Sequence, residues 1–281
     1  MVVDADSGKL IGEIPDTLGV HGVALVTDLH RGFISAGRAN KVVVFDTTTL
    51  KATGEIATGQ NPDAIIYDSV SRRVFTFNGR SNDVTAIDPD KNTVVGTLPV
   101  GGKPEYAVSD GKGSMFVNIE DKNEIVEFDA KTLKETHRWS IKPCDEPSGL
   151  AMDQKARRLF SVCGNKMMAI VDADSGKVIA TPAIGDGVDG VAYDASAGNA
   201  YSSNGEGNIT IVHQDSPLKY SVVATIPTQS RARTIALDGK THKVFTVTSD
   251  FGPVPAATKE NPRPRPPVLP DSFVVIEVGA K

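Results

Sequence analysis

Six residues stand at equivalent places in successive units of this 281-residue chain: His21, Asp63, Glu105, Ser148, Asp189 and Arg233. Their contexts correspond, from Gly-Val-His-Gly-Val-Ala and Asn-Pro-Asp-Ala, through Lys-Pro-Glu-Tyr and Glu-Pro-Ser-Gly, to Gly-Val-Asp-Gly-Val-Ala and Arg-Ala-Arg-Thr. Each opens a short apolar run, where a purely structural role is met by small or apolar residues, yet five of the six are ionisable. Arranged around an axis, they would bring three carboxylates, an imidazole and a guanidinium to one funnel. Such a set can hold a polar small ligand, or a divalent cation such as Ca²⁺ with Asp63, Glu105 and Asp189 as ligands. The competing reading is a water-filled channel whose polar ring satisfies only solvent and its own backbone.

A second ring ends the next run of each unit: Asn78, Asn118, Cys163, Asn204 and Thr248, with Arg38, Arg80, Glu120 and Glu206 just beyond. The three asparagines are further ligand-binding candidates on the same face, although Asn also forms turns by tolerating left-handed backbone. The chain contains no Gly-x-Ser-x-Gly elbow, P-loop, His-Glu-x-x-His or Cys-x-x-Cys. Catalysis therefore has no local signature, and only chemistry assembled in space remains open. A metal-assisted lactonase or lyase would use the three carboxylates to hold the cation and His21 as general base.

The elements that position these residues follow from a repeat. The phrase Val-Asp-Ala-Asp-Ser-Gly-Lys occurs at Val3–Lys9 and again at Val171–Lys177. Weaker copies place Asp4, Asp46, Asp88, Asp129 and Asp172 at steps of 42, 42, 41 and 43 residues. His213 takes the Asp place in a sixth copy, and Glu277 ends a degenerate seventh after an insertion. Within the unit from Pro62 to Leu98, four β-rich runs are divided by Asp-Ser, Asn-Gly and Asp-Pro-Asp. No window offers ten residues at helical spacing. Four antiparallel strands per period of about 40 residues make the blade of a β-propeller. Phe33, Phe75, Phe116, Phe160, Tyr201 and Phe245 recur in the second strands, where large rings fill the space between neighbouring blades.

The units Pro62–Leu98 and Pro104–Trp139 resemble the YVTN-type β-propeller repeat: Pro, an apolar strand, a basic pair such as Arg72-Arg73 or Arg157-Arg158, an aromatic strand, then Asn before a strand ending in Asp. The resemblance covers nearly the whole chain. It implies an exported bacterial protein, periplasmic or secreted, with seven blades, and it implies no particular activity.

The expected fold is therefore all-β, one propeller domain over residues 1–281 with a proline-rich insertion at 251–271. The count is two strands at the start, five complete blades and three strands at the end. A seven-bladed type with a truncated first blade, its missing strands lying upstream, is the first expectation. A six-bladed ring, with Lys9–Ile14 completing the last blade and Val2-Val3 surplus, is the alternative.

Composition limits the partners. Thirty Lys and Arg against 35 Asp and Glu, net −5, leave no basic footprint for a nucleic-acid backbone. Arg38, Arg80, Arg231, Arg233, Arg263 and Arg265 would share one face but do not change that balance. No run of 18 apolar residues exists to span a membrane, and a monomer is expected. Cys144 and Cys163 fall near each other across a strand pair, so either a disulfide, suited to an exported protein, or two free thiols fits. From Gly252 to Pro270 the insertion carries seven prolines. It is extended, cannot add to a sheet, and leaves the last blade on the channel-mouth face. It is either a stiff surface loop or an arm over the ring, with Arg263 and Arg265 projecting. The function expected is non-enzymatic binding of a small ligand or protein partner at the mouth.

Overall fold

In the computed structural model, which describes residues 1–259, 262 and 264–279, the chain is a β-propeller of six blades. The first five are four-stranded antiparallel sheets running consecutively from the axis outwards, and the sixth has three strands. Their innermost strands are Val20–Val26, Pro62–Asp68, Pro104–Ser109, Pro147–Asp153, Val188–Asp194 and Arg233–Asp238. Among the described residues there is no α-helix, only the short 3-10 turns Thr27–Leu29, Gly37–Ala39 and Glu120–Lys122.

The blade count is six, as in the alternative expected from the sequence, but the seam differs from the one that form implied. Leu10–Gly12 pairs with Val2–Val3 in a separate two-stranded ribbon. It does not add to the last sheet, where Val274–Val278 remains the outer strand.

The repeated Asp is explained by the turn after each third strand. Asp46 Oδ1 accepts the N–H groups of Thr48 and Thr49 at 3.0 and 2.7 Å. Asp88, Asp129 and Asp172 accept those two and three residues on in the same way. A carboxylate here closes the turn with hydrogen bonds that a strand continuation would otherwise use. The preceding turn relies on backbone handedness instead: Asn40, Asn82 and Asn123 take φ of 52°, 57° and 57°.

The core lies between blades. Phe33, Phe75, Phe116 and Phe160 are at most 1 % exposed, and Phe75 meets Phe128 of the next blade edge-to-face at 5.8 Å. Second and third strands are buried on both sheet faces, so they read as near-continuous apolar runs. Inner strands pack side by side in order from 20–26 to 233–238, but the last and first make no comparable contact. Val23 and Leu25, each 52 % exposed, therefore face solvent where the equivalent Ile65 is 4 % exposed.

Candidate functional site

Identical pairing in every blade puts the six inner-strand residues at one end of the fold. Pro62 pairs with Asn78, Pro147 with Cys163, Val188 with Asn204, and Val20 with Ala36, so His21, Asp63, Ser148 and Asp189 each begin their strand at the same level. Cross-blade hydrogen bonds fix the spacing. Ser35 Oγ donates to the Asp63 carbonyl at 2.5 Å, Asn118 Nδ2 to the Ser148 carbonyl at 2.9 Å, and Ser148 Oγ to the Asp189 carbonyl at 3.1 Å. These bonds hold the backbones of Asp63, Ser148 and Asp189, and among the ring side chains they use only the Ser148 hydroxyl.

Each carboxylate of the ring has its own basic neighbour. Asp63 Oδ1 lies 3.3 Å from His21 Nδ1, across the boundary between blades one and two. Asp189 Oδ1 lies 3.6 Å from Arg233 Nη1, and its other oxygen accepts the Thr234 N–H at 3.0 Å. Glu105 Oε1 lies 2.5 Å from Lys103 Nζ, which also bonds Glu120. Lys103 precedes the strand, and Glu120 follows the neighbouring one, Ser114–Ile119. The signal for Lys103 was the Lys-Pro-Glu context of Glu105; its bond to Glu120 is a long-range contact that no spacing reveals.

Burial governs the electrostatics. Desolvation raises the Asp63 carboxyl above its ordinary value; His21, Lys103 and Arg233 oppose that rise, and Asp189 adds to it. Asp63 thus feels charges from the first, third, fifth and sixth blades, so the mouth is one electrostatic unit. Burial also pushes Glu105 up to about 7, although its bond to Lys103 pulls the other way. Burial pulls Lys103 down, but its bonds to Glu105 and Glu120 outweigh that and hold its ammonium above the ordinary lysine value. Both partners report a close ion pair; Glu105 still rises because one ammonium is shared between two carboxylates in a desolvated place.

Two sets of expected ligands are corrected. Asp63, Glu105 and Asp189 do not converge as a cation site, since no group of three His, Cys, Asp or Glu among the described residues is arranged to hold a metal. Each lies nearest a different basic side chain instead. Asn78, Asn118 and Asn204 are fully buried and spend their amides on the framework. Asn78 Nδ2 donates to Asp83 and Thr85, and Asn204 Nδ2 makes the matching bonds to Asn208 and Thr210. Asn118 stands one residue short of that place, which Ile119 takes by pairing with Pro104, and so reaches the Ser148 and Gly149 carbonyls of the next blade. Cys163 occupies this place in the fourth blade and forms a disulfide with Cys144, with 5.4 Å between Cα atoms. It ties the loop before the inner strand covalently, where in the sixth blade the Thr248 hydroxyl donates to the Ser230 carbonyl.

The insertion rises on the mouth side beside Arg233. Its base is a short bridge: Gly252 N–H donates to the Pro267 carbonyl and Leu269 N–H to the Asp250 carbonyl, both at 2.9 Å. Gln229 anchors Asp250 at 2.8 Å, and the Arg231 guanidinium covers the Phe251 ring at 4.9 Å. Arg263 and Asn261 lie outside the described residues; Arg265 is exposed.

No family profile matches this chain, and no curated protein matches it. Solved structures do. Kuenenia stuttgartiensis hydrazine synthase superposes with a TM-score of 0.69 at 18 % identity, covering 85 % of this chain and 80 % of that one. A chain of the mitotic checkpoint complex gives 0.74 at 17 %, covering 87 % and 76 %. A functionally unknown protein from Desulfotomaculum acetoxidans DSM 771 gives 0.71 at 10 %, covering 82 % and 79 %. Likeness at such identities establishes the propeller and carries no activity with it.

Proposed function

We propose that this propeller is a non-enzymatic binding protein that takes a small polar ligand at its channel mouth. The reading rests on one observation: ionisable side chains from four other blades lie within electrostatic reach of Asp63, in a place where burial already raises its carboxyl. Desolvating carboxylates is costly unless they are paired or used, and perturbed groups gathered in a concavity mark functional sites. Here the groups are only partly spent, since the His21 and Arg233 side chains stay 41 % and 59 % exposed. We also read the protein as a YVTN-type repeat protein of the periplasm or cell exterior; the disulfide supports an oxidising compartment.

The test is a thermal-shift screen of small polar ligands against the intact chain and the Asp63→Asn/Glu105→Gln double variant. Hits should stabilise the first and not the second, while Asp215→Asn on the outer surface leaves the response unchanged. Ligands that stabilise both proteins equally would remove the mouth from the reading.

A further inference from the structure

The described part of the proline arm walls a cavity of about 660 Å³ beside the inner ends of the fifth and sixth blades. That volume lies within the range of small-molecule sites. Arg231, Arg233 and Arg265 line it, and among the described residues no Asp or Glu does. In a chain of net charge −5, this is a local reversal of sign. Among the described residues only Arg233 of the three is ion-paired. Arg231 is stacked on Phe251, and Arg233 is held by Asp189 only at 3.6 Å. Arg265 has no ion-pair partner among the described residues.

The remaining wall is apolar. Phe251, Val254 and Val268 line it, and the two valines are 58 % and 59 % exposed. Gly187 and Gly205 also line it, and here the absence of side chains is enforced: a Cβ on Gly205 would come within 2.9 Å of the Gly187 carbonyl oxygen. The Gly205 N–H donates to that carbonyl at 2.8 Å, and the Arg231 N–H donates to the Gly205 carbonyl at 2.7 Å, so the backbone carrying Arg231 is fixed to that of the fifth blade.

We propose that this cavity binds a small organic anion with an apolar body. The head, a carboxylate or phosphate, sits among Arg231, Arg233 and Arg265, and the tail lies along Phe251, Val254 and Val268. Planar guanidiniums are suited to such heads because they offer paired donors, and an apolar wall strengthens the attraction by excluding water. The proposal rests on the mouth face being a binding surface and names the chemistry of its ligand.

Calorimetric titration of the full chain with octanoate, octyl phosphate, octanol and octylamine tests it at constant tail length. Both or one of the anions should bind, octanol about tenfold more weakly or less, and octylamine not at all; the preference between the two anions identifies the head. Arg231→Gln and Arg265→Gln should each weaken the bound anion about tenfold. Arg265 is exposed on the arm, so its variant keeps the fold even if loss of the Phe251 stack disturbs Arg231→Gln. Octylamine binding as tightly as octanoate overturns the anion while leaving a mouth-side binding surface. Anion affinity unchanged in both variants, or no anion binding up to about 10 mM, overturns the cavity itself. The Asp63→Asn/Glu105→Gln comparison judges the wider reading independently.

Discussion

Lys103 Nζ lies 2.5 Å from Glu105 Oε1 at the channel mouth and serves Glu120 with the same ammonium. One cation divided between two carboxylates leaves Glu105 under-compensated, and burial pushes its carboxyl up to about 7 from an ordinary 4.5. The folded state therefore binds this proton more tightly than the unfolded chain. The stability it contributes is full below about pH 4.5 and is lost as pH rises through about 7. Glu105→Gln should gain roughly 1–3 kcal/mol over the parent at pH 8 and almost nothing at pH 4.5, read by urea unfolding at the two values. Equal gains at both would mean that the ionised pair is not strained.

Removing the lysine separates charge from burial. Lys103→Met leaves Glu105 and Glu120 facing each other without their shared cation, and a partly buried charge that loses its partner typically costs about 3 kcal/mol or more. The loss should be large at pH 8 and shrink as pH falls through about 7, where Glu105 protonates. A loss independent of pH would assign the effect to the lysine's aliphatic stem.

What the sequence disclosed, and what it hid, divides by the range of the interactions. Asp46, Asp88, Asp129 and Asp172 were legible as a repeat because each bonds N–H groups only two and three residues away. Blade spacing and the equivalence of His21, Asp63, Glu105 and Asp189 followed from the same periodicity. The number of blades stayed open between seven and six, because it depends on which edge Leu10–Gly12 joins, and a three-residue strand carries no address. The asparagines stayed open too: their place at the mouth end was visible, but whether Asn78, Asn118 and Asn204 face the funnel or the sheet depends on acceptors brought from other strands and blades. The separation of the three carboxylates was hidden for the same reason. Three carboxylates at equivalent positions sit on different blades, and each found a nearer base.

The disulfide closes 19 residues of separation between Cys144 and Cys163, both buried. Constraining a loop of that size in the unfolded chain is worth about 3 kcal/mol. Cys144→Ser/Cys163→Ser should therefore lower Tm by roughly 6–12 °C, and reductant should lower the parent by a similar amount while leaving the variant unaffected. Parity of parent and variant under oxidising conditions would show that the bond adds nothing.

Phe75 and Phe245 occupy the same place in their blades but not the same environment. Phe75 is fully enclosed between two blades, whereas Phe245 is only partly buried in the three-stranded last blade. Phe75→Ala should cost about 3–5 kcal/mol, as large aromatic truncations in cores do, and Phe245→Ala about half of that or less. Similar costs for both would mean that the face of the last blade is covered in solution.

The arm gives the last prediction. Its seven prolines restrict the backbone before anything docks, so little conformational entropy remains to be lost when a ligand fills the cavity it walls. Replacing residues 253–266 by a short Gly-Ser turn keeps the Phe251–Val268 bridge at the base. Chain length in a surface loop enters stability only logarithmically, so unfolding free energy should shift by no more than a few tenths of a kcal/mol. Octanoate affinity should fall at least about tenfold, since Val254 and Arg265 leave together and the head loses one of its three guanidiniums. Unchanged affinity with unchanged stability would make the arm a surface loop; unchanged affinity with a collapsed Tm would make it a brace for the last blade. The asymmetry of the arm's attachment favours the binding role: its base is fixed by Gln229 and Arg231, while its walls present valine and arginine to open space.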